Sequence, residues 1–245
     1  ATVEAGIHLY TLNDELARRG LALSNLGDID RQTLAGALST GTHGTSTRYG
    51  PIAASVIGLE LVTADGEVVR CSATEEPELF ACARVGLGAL GVITKVTLQC
   101  EPAFRLHTLE EPHGFDEALA AWEETIAANE HVDSYWFPHS DVMTVKASNR
   151  TDRPIRVKSR RKQWRDDVLI GNYAFGALAA YGRRRPSQIP KVSRTVANGM
   201  GRVEKVDVSY RVFCTPRLIR FVEMEYALPR DRMEATLRRI RELIE

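Results

Sequence analysis

Residues 55–71 read Ser-Val-Ile-Gly-Leu-Glu-Leu-Val-Thr-Ala-Asp-Gly-Glu-Val-Val-Arg-Cys, two β-rich apolar runs joined by Ala64-Asp65-Gly66. An Asp-Gly pair accepts the positive φ that a tight reversal needs, so the two runs pair as an antiparallel hairpin. This is the firmest local constraint in the chain. Around it, residues 2–6 alternate like a short strand. Residues 9–20 read as a helix with Leu9, Leu12, Leu16 and Ala17 at helical spacing and Gly20 at its C-cap. Residues 21–23 form a short strand. A short helix over 76–84 carries Pro77 in its first turn. A β-branched strand over 91–100 and Glu101-Pro102 close the region.

From Phe104 the pattern changes, and the natural boundary lies near Pro102. An alanine-rich helix is expected over 115–129, with Leu119, Trp122 and Ile126 on one face. Two strands follow over 131–147, broken at Pro138-His139-Ser140-Asp141. Residues 149–165 are strongly basic, and a solvated loop is preferred there to a nucleic-acid or membrane-surface patch, since Trp164 is the only aromatic. A helix over 168–181, strands over 203–213 and 219–228, and a last helix after Pro229 complete the reading. No internal repeat is present.

Thirty-two basic and 32 acidic residues cancel, so no net field selects a polyanion. The cysteines (Cys71, Cys82, Cys100, Cys214) show no CxxC pair and no zinc-ligand spacing, and they read as buried thiols of a reducing compartment. No apolar run approaches the ~20 residues that cross a bilayer. The chain opens on Ala1 and stops inside a helical pattern, so both ends read as cut, and the lack of a targeting signal carries no weight.

Two glycine-rich segments carry the chemistry. Gly86-Leu87-Gly88-Ala89-Leu90-Gly91 matches G-x-G-x-x-G, but a helix precedes it and a strand follows it. A dinucleotide fingerprint requires the opposite order, so a nicotinamide site is rejected. The segment reads instead as a turn passing close to packed protein or to the edge of a planar ring. Residues 34–46 hold three glycines, two serines, three threonines and His43. That density of backbone N–H groups and hydroxyls suits an extended polar ligand such as a pyrophosphate with its sugar; a surface turn cluster is the plainer alternative. His43 reads as a hydrogen-bonded loop residue and not as a catalytic base.

Taken together, two blocks resemble the aldonolactone oxidoreductases, FAD enzymes of the vanillyl-alcohol-oxidase type. Asn25-Leu26-Gly27-Asp28-Ile29 leading into Ala35-Gly36-Ala37-Leu38-Ser39-Thr40-Gly41-Thr42-His43-Gly44-Thr45 is one; residues 87–98, Leu-Gly-Ala-Leu-Gly-Val-Ile-Thr-Lys-Val-Thr-Leu, are the other. Phe221-Val222-Glu223-Met224-Glu225-Tyr226-Ala227-Leu228-Pro229-Arg230 is similar to a strand of that family's substrate domain. The resemblance implies an α+β fold: the second part of a PCMH-type FAD-binding domain (residues 1–101), then part of a cap domain with an antiparallel sheet flanked by helices (102–245). It implies FAD as cofactor, a sugar lactone or polyol as substrate, and oxygen or another electron acceptor. With the balanced charge and the short apolar runs, no nucleic-acid partner and no integral membrane segment are expected, and the location is expected to be cytoplasmic, either free or peripheral at a membrane.

By position, Ser39, Thr40, Gly41, Thr42 and His43 match the loop along the flavin and its ribityl–phosphate chain. Thr33 and Gly36 match further FAD contacts, Ile93 matches the residue whose backbone holds the adenine, Val92 beside it is a second main-chain candidate for a ring edge, and Asp28 stands where some relatives place a serine near the flavin and substrate. Thr42 also matches a position that controls oxygen access. The family's Gly-His-Ser loop, Glu-x-Arg pair and His-Trp-Gly-Lys segment occur nowhere in the 245 residues. Catalytic residues are therefore expected outside this chain. The alternatives are alditol oxidation or a fragment that cannot hold flavin.

Overall fold

In the computed structural model, which describes residues 1–245, the Asp65-Gly66 hairpin forms one side of a four-stranded antiparallel sheet. Its order is β1 (Thr2–Glu4), β5 (Val92–Leu98), β3 (Val56–Val62), β4 (Val68–Ser72). Gly66 turns the hairpin at φ +85°, and β3 pairs with β4 from Gly58↔Ser72 to Val62↔Val68. On its other side β3 pairs with β5 from Val56↔Leu98 to Val62↔Val92. Helix α1 (Leu9–Arg18) buries Leu9, Leu12 and Leu16 at helical spacing, and Gly20 follows it at φ +69°. Strand β2 (Leu21–Ala22) pairs with β6 (Glu101–Pro102). Helices α2 (Leu34–Ser39) and α3 (Pro77–Ala83) contribute Leu34, Leu38 and Phe80 to a core that also holds Leu59, Leu61, Val96 and Leu98.

Cα packing divides the chain into two units that are not contiguous in sequence. The first comprises Ala1–Leu106, Arg150–Ile155 and Val206–Thr215. Within it the Arg150 guanidinium donates to both Glu101 carboxylate oxygens at 2.7 and 2.8 Å and lies 4.1 Å over the Phe104 ring. Thr215 N donates to Asp28 O at 2.9 Å, and Tyr210 Oη donates to Asp14 at 2.9 Å.

A second sheet has the order β10 (Val203–Val208), β7 (Arg105–Gly114), β9 (Val142–Arg150), β8 (His131–Trp136), all of it in the second unit except Arg105, Leu106, Arg150 and Val206–Val208. Strands β8 and β9 pair antiparallel from His131↔Ser148 to Trp136↔Met143. Phe115, Ala118 and Leu119 from α4 (Phe115–Ala120) pack on Met143 and Val145. Met233 and Leu237 of the last helix (Met233–Ile244) close this core, and ion pairs Arg238–Asp116 and Arg241–Asp141 tie that helix down.

Five expectations change. The helix over 115–129 breaks at Ala121, where α5 (Trp122–Ala128) begins. The basic stretch is a loop only as far as Ser159, whose side chain accepts from Lys162 N and starts a helix. Arginine and lysine are good helix formers, so helix extends upstream of the apolar stretch that predicts it. Helix α6 (Arg160–Gln163), a π-wound stretch (Trp164–Ala174) and α7 (Phe175–Arg184) run on as one rod. A turn at Pro186–Gln188 then leads into α8 (Ile189–Gly199). The strand over 203–213 stops at Val208 and continues as the short helix α9 (Ser209–Phe213), which places Val212 and Phe213 in the first unit's core. Residues 219–228 alternate as a strand should but join no ladder, and a strand without a neighbour has no backbone partners to hold it. Finally, only Cys71 is buried, where desolvation pushes its thiol pKa up. Cys82 is exposed, because Phe80 and Ala83 take the inward side of α3.

Candidate functional site

Helix α2 is the element on which the site is built. Thr33 caps its start, its hydroxyl accepting from Gly36 N at 3.2 Å. Leu34 N and Ala35 N donate to Ile7 O and Ala5 O, so these first-turn amides serve the protein. Leu34, Ala37 and Leu38 are fully buried and hold the helix rigidly to the core. At the other end Thr40 N donates to Gly36 O, Gly41 N to Leu38 O and Thr42 N to Ala37 O, at 3.2, 3.0 and 2.9 Å. Gly41 at φ +71° makes this a left-handed helix stop of the kind glycine permits.

The amides of Thr40, Gly41 and Thr42 are therefore occupied by capping. The donor-rich backbone that composition suggests is turned inward at these three residues, and the Thr40 hydroxyl also bonds back to Gly36 O at 3.0 Å. Thr42 is equally engaged: its hydroxyl meets the Gln32 side-chain amide at 3.3–3.4 Å, and its carbonyl accepts from Ile52 N at 3.1 Å.

Beyond Thr42 the loop lies backbone against backbone on residues 25–28. A Cβ at Gly44 would overlap Leu26 O and the Asn25 carboxamide, and one at Gly27 would come within 3.1 Å of His43 O and 3.2 Å of the Thr42 methyl. Asn25, buried, donates through Nδ2 to Gly50 O at 3.2 Å and Tyr49 O at 3.4 Å, closing the loop at its far end. Its Oδ1 has no hydrogen-bond partner. His43 is exposed, with Nδ1 3.0 Å from Gly44 O, a local contact in keeping with a loop residue. Asp28 is exposed beside Gly27.

The second glycine segment docks on the end of α2. Leu87 N donates to Ser39 O at 3.2 Å, and a Cβ at Gly41 would sit 3.4 Å from the Val85 methyl. Leu87 takes φ +52° and Gly88 φ +74°, while Gly91 at φ +134° passes so close to Val62 O that a Cβ there would overlap it. Thus the two sequence blocks, some 45 residues apart, form one surface.

Its members do not all converge. Thr33 and Gly36 stand at the N-terminal end of α2, and Ser39 to His43 at the other end. Ile93 packs toward the core, whereas Val92 points outward and is 69% exposed. Behind Gly86, Gly88, Gly91 and Ile93 lies a cavity of about 10 Å³, room for no more than a single water. A ring would have to lie on this turn and not within it.

The titratable groups with displaced pKa values lie away from the loop. Hydrogen bonds from Lys95, Arg70 and Thr94 hold the Glu60 carboxyl below its ordinary range, and burial with the Asp14 contact raises Tyr210. Reasoning from sequence did not find Gln32, nor the part that Leu87 plays within the glycine segment. Gln32 has no pattern around it, and a leucine at positive φ leaves no mark in composition. The residues present fit FAD in kind. They form a wall of mostly small side chains, backed tightly by residues 25–28, with Thr45 and Thr47 on exposed positions.

A family profile described as D-arabinono-1,4-lactone oxidase matches residues 96–245, and one described as an FAD binding domain matches residues 1–72. L-gulono-1,4-lactone dehydrogenase of Mycobacterium tuberculosis is 38% identical over 99% of this chain and 56% of its own length. L-gulonolactone oxidase of Scyliorhinus torazame is 34% identical, covering 100% and 55%. D-arabinono-1,4-lactone oxidase of Yarrowia lipolytica is 32% identical, covering 100% and 48%. The chain spans about half the length of the curated relatives it matches. Among solved structures, cholesterol oxidase of Brevibacterium sterolicum superposes with a TM-score of 0.58 at 18% identity, over 84% of this chain and 44% of that one, a likeness of fold.

Proposed function

The chain belongs to the D-arabinono-1,4-lactone oxidase family, and from that premise we propose that the intact protein is an FAD-dependent oxidoreductase. Its substrate is an aldono-1,4-lactone of the L-gulono-1,4-lactone type, oxidised at a carbon bearing a hydroxyl. Residues 1–101 are the C-terminal part of its FAD-binding domain and residues 102–245 the N-terminal part of its substrate domain. FAD, when bound, supplies the two-electron acceptor at N5 and is reoxidised by oxygen or another acceptor. The hydroxyl proton leaves to a group to which no residue of this chain is assigned.

The chain's own contribution is positional. Ser39, Thr40, Gly41, Thr42 and His43 form a wall along the ring and its ribityl–phosphate chain, with Thr33, Gly36, Asp28, Val92 and Ile93 as further contacts. The single observation that carries this reading is the Leu87 N to Ser39 O bond, which docks the second glycine segment on the end of α2 beside Gly41. Rigidity follows, because buried leucines on one side and the Asn25 clamp on the other leave the wall no slack. No helix is long and apolar enough to cross a membrane; we place the protein in the cytoplasm, either free or peripheral at a membrane.

Purified full-length protein tests this directly. Visible flavin absorbance that bleaches on anaerobic addition of L-gulono-1,4-lactone is the expected result. A colourless folded protein removes the cofactor assignment, and bleaching by a sugar alcohol but not by the lactone removes the substrate.

A further inference from the structure

We infer that Gln32 is a positioning residue of the cofactor wall: it fixes the side-chain rotamer of Thr42, and with it the pattern of groups that residues 39–43 offer to a bound ring. The inference rests on the FAD reading above and names a residue that acts on the wall through Thr42.

Gln32 stands on a held backbone. Its carbonyl accepts from Leu9 N at 3.0 Å, Tyr10 N donates to Asp30 O at 3.0 Å, and His8 bridges Thr33, so residues 30–33 lie along the start of α1. The side chains beside it are engaged elsewhere. Arg31 pairs with Asp30 at 3.4 Å and lies 4.9 Å over the Tyr10 ring, and Thr33 caps α2. Gln32 is the one that reaches Thr42, ten residues on. Its carboxamide and the Thr42 hydroxyl pair in both directions: Nε2 donates to Oγ1 at 3.3 Å, and Oγ1 donates to Oε1 at 3.4 Å. A primary amide offers a donor and an acceptor at one site, which a hydroxyl can match and an apolar or ionised acidic side chain cannot.

These are long bonds, and the loop is held without them. Thr42 N donates to Ala37 O at 2.9 Å, Thr42 O accepts from Ile52 N at 3.1 Å, and Gly44 lies against Leu26 O and the Asn25 carboxamide. With the Thr42 backbone fixed, the freedom left is its χ1, which has three staggered wells. The methyl lies 3.2 Å from where a Cβ on Gly27 would stand, and the hydroxyl lies on Gln32. The two contacts together select one well. Without Gln32 the methyl contact acts alone and the hydroxyl is released. The amides of Thr40, Gly41 and Thr42 are already turned inward, so a released hydroxyl changes the donors that a flavin on this surface meets.

The test is a double-substitution cycle in the full-length protein with flavin bound, read by the visible flavin bands and by steady-state kinetics with L-gulono-1,4-lactone. Gln32→Leu should shift the bands and lower kcat by about tenfold with KM within about twofold of wild type, because the ring is disturbed while lactone contacts are kept. Thr42→Val cuts the same pair from the other side and should also shift the bands and lower kcat. The double variant should fall within about twofold of the more affected single one, since once either partner is lost the other has nothing to act through. If Gln32→Leu does not fold, Gln32→Asn, one methylene shorter, takes its place in the cycle. Additive effects, or wild-type bands and kcat in the Gln32 variant, overturn the role of Gln32 and leave the FAD reading standing. A change confined to the urea midpoint, with the flavin bands unmoved, assigns Gln32 to holding the loop and overturns that role equally. A colourless wild type overturns the FAD reading and this inference with it.

Discussion

The loop after α2 and the rod of residues 160–184 use small and apolar residues in opposite ways. In the loop, Gly27, Gly44 and Gly91 are small so that backbone can lie on backbone, and the amides of residues 40–42 are consumed in capping. In the rod, Trp164, Ile170 and Tyr173 are more than half exposed, while Asn172, Phe175 and Gly176 face the packed side. A substitution in the loop should therefore cost stability before it costs function, and one on the rod's exposed side should cost little stability.

The largest break in that contrast comes from Gly44→Ala. The new methyl group would overlap a carbonyl oxygen and the Asn25 carboxamide, neither of which can swing away, so we expect about 3 kcal/mol of destabilisation in urea unfolding. A loss under about 0.5 kcal/mol would show that residues 42–46 are free to lift off residues 25–28. Asn25→Ala comes next: it removes two carboxamide bonds to the carbonyls of Tyr49 and Gly50 and should lower stability by about 1–2 kcal/mol. The same unfolding curves, together with faster proteolysis within residues 42–50, would report it.

Thr42→Gly sharpens the contrast on the functional side. Its hydroxyl and methyl face Gln32 and Gly27, so the change loosens the wall, and in the full-length enzyme the ratio of oxygen to dye turnover should shift. An unchanged ratio would confine Thr42 to holding the loop.

Glu60 lies on β3 of the first sheet, with its carboxyl held low by Lys95 first, then Arg70. A carboxyl with a depressed folded pKa stabilises above its unfolded value and loses that contribution as pH falls through the folded one. The stability gap between wild type and Glu60→Gln should thus be present at neutral pH and close below the ordinary glutamate value of 4.5. A gap independent of pH would assign the effect to packing. The smallest effect belongs to the rod, where Leu169→Ser/Ile170→Ser/Tyr173→Ser should leave the unfolding midpoint within about 0.5 kcal/mol per site, as exposed positions do.

Legibility follows the range of the interaction. The Asp65-Gly66 hairpin, α1 with Gly20 behind it and the paired strands around Pro138 are dictated by neighbours in sequence, and all stand where periodicity puts them. Residues 219–228 show the limit of that approach. Their alternation is as clean as that of 56–62, but a ladder needs a partner that no local pattern reveals. The basic stretch misled for a different reason: charge density suggests solvation, whereas the Ser159 cap and the helix beyond it recruit the arginines into a rod.

For the site, the sequence alone determined which residues are small, which carry hydroxyls, and that the order of helix and strand around residues 86–91 excludes a nicotinamide fingerprint. Tertiary structure decided the rest. It brought Leu87 onto Ser39, turned Ile93 inward and Val92 outward, and committed the amides of residues 40–42 to the end of α2. Composition counts donors, but only packing decides which way each one faces, because a helix end must satisfy its own backbone before it can offer anything to a ligand.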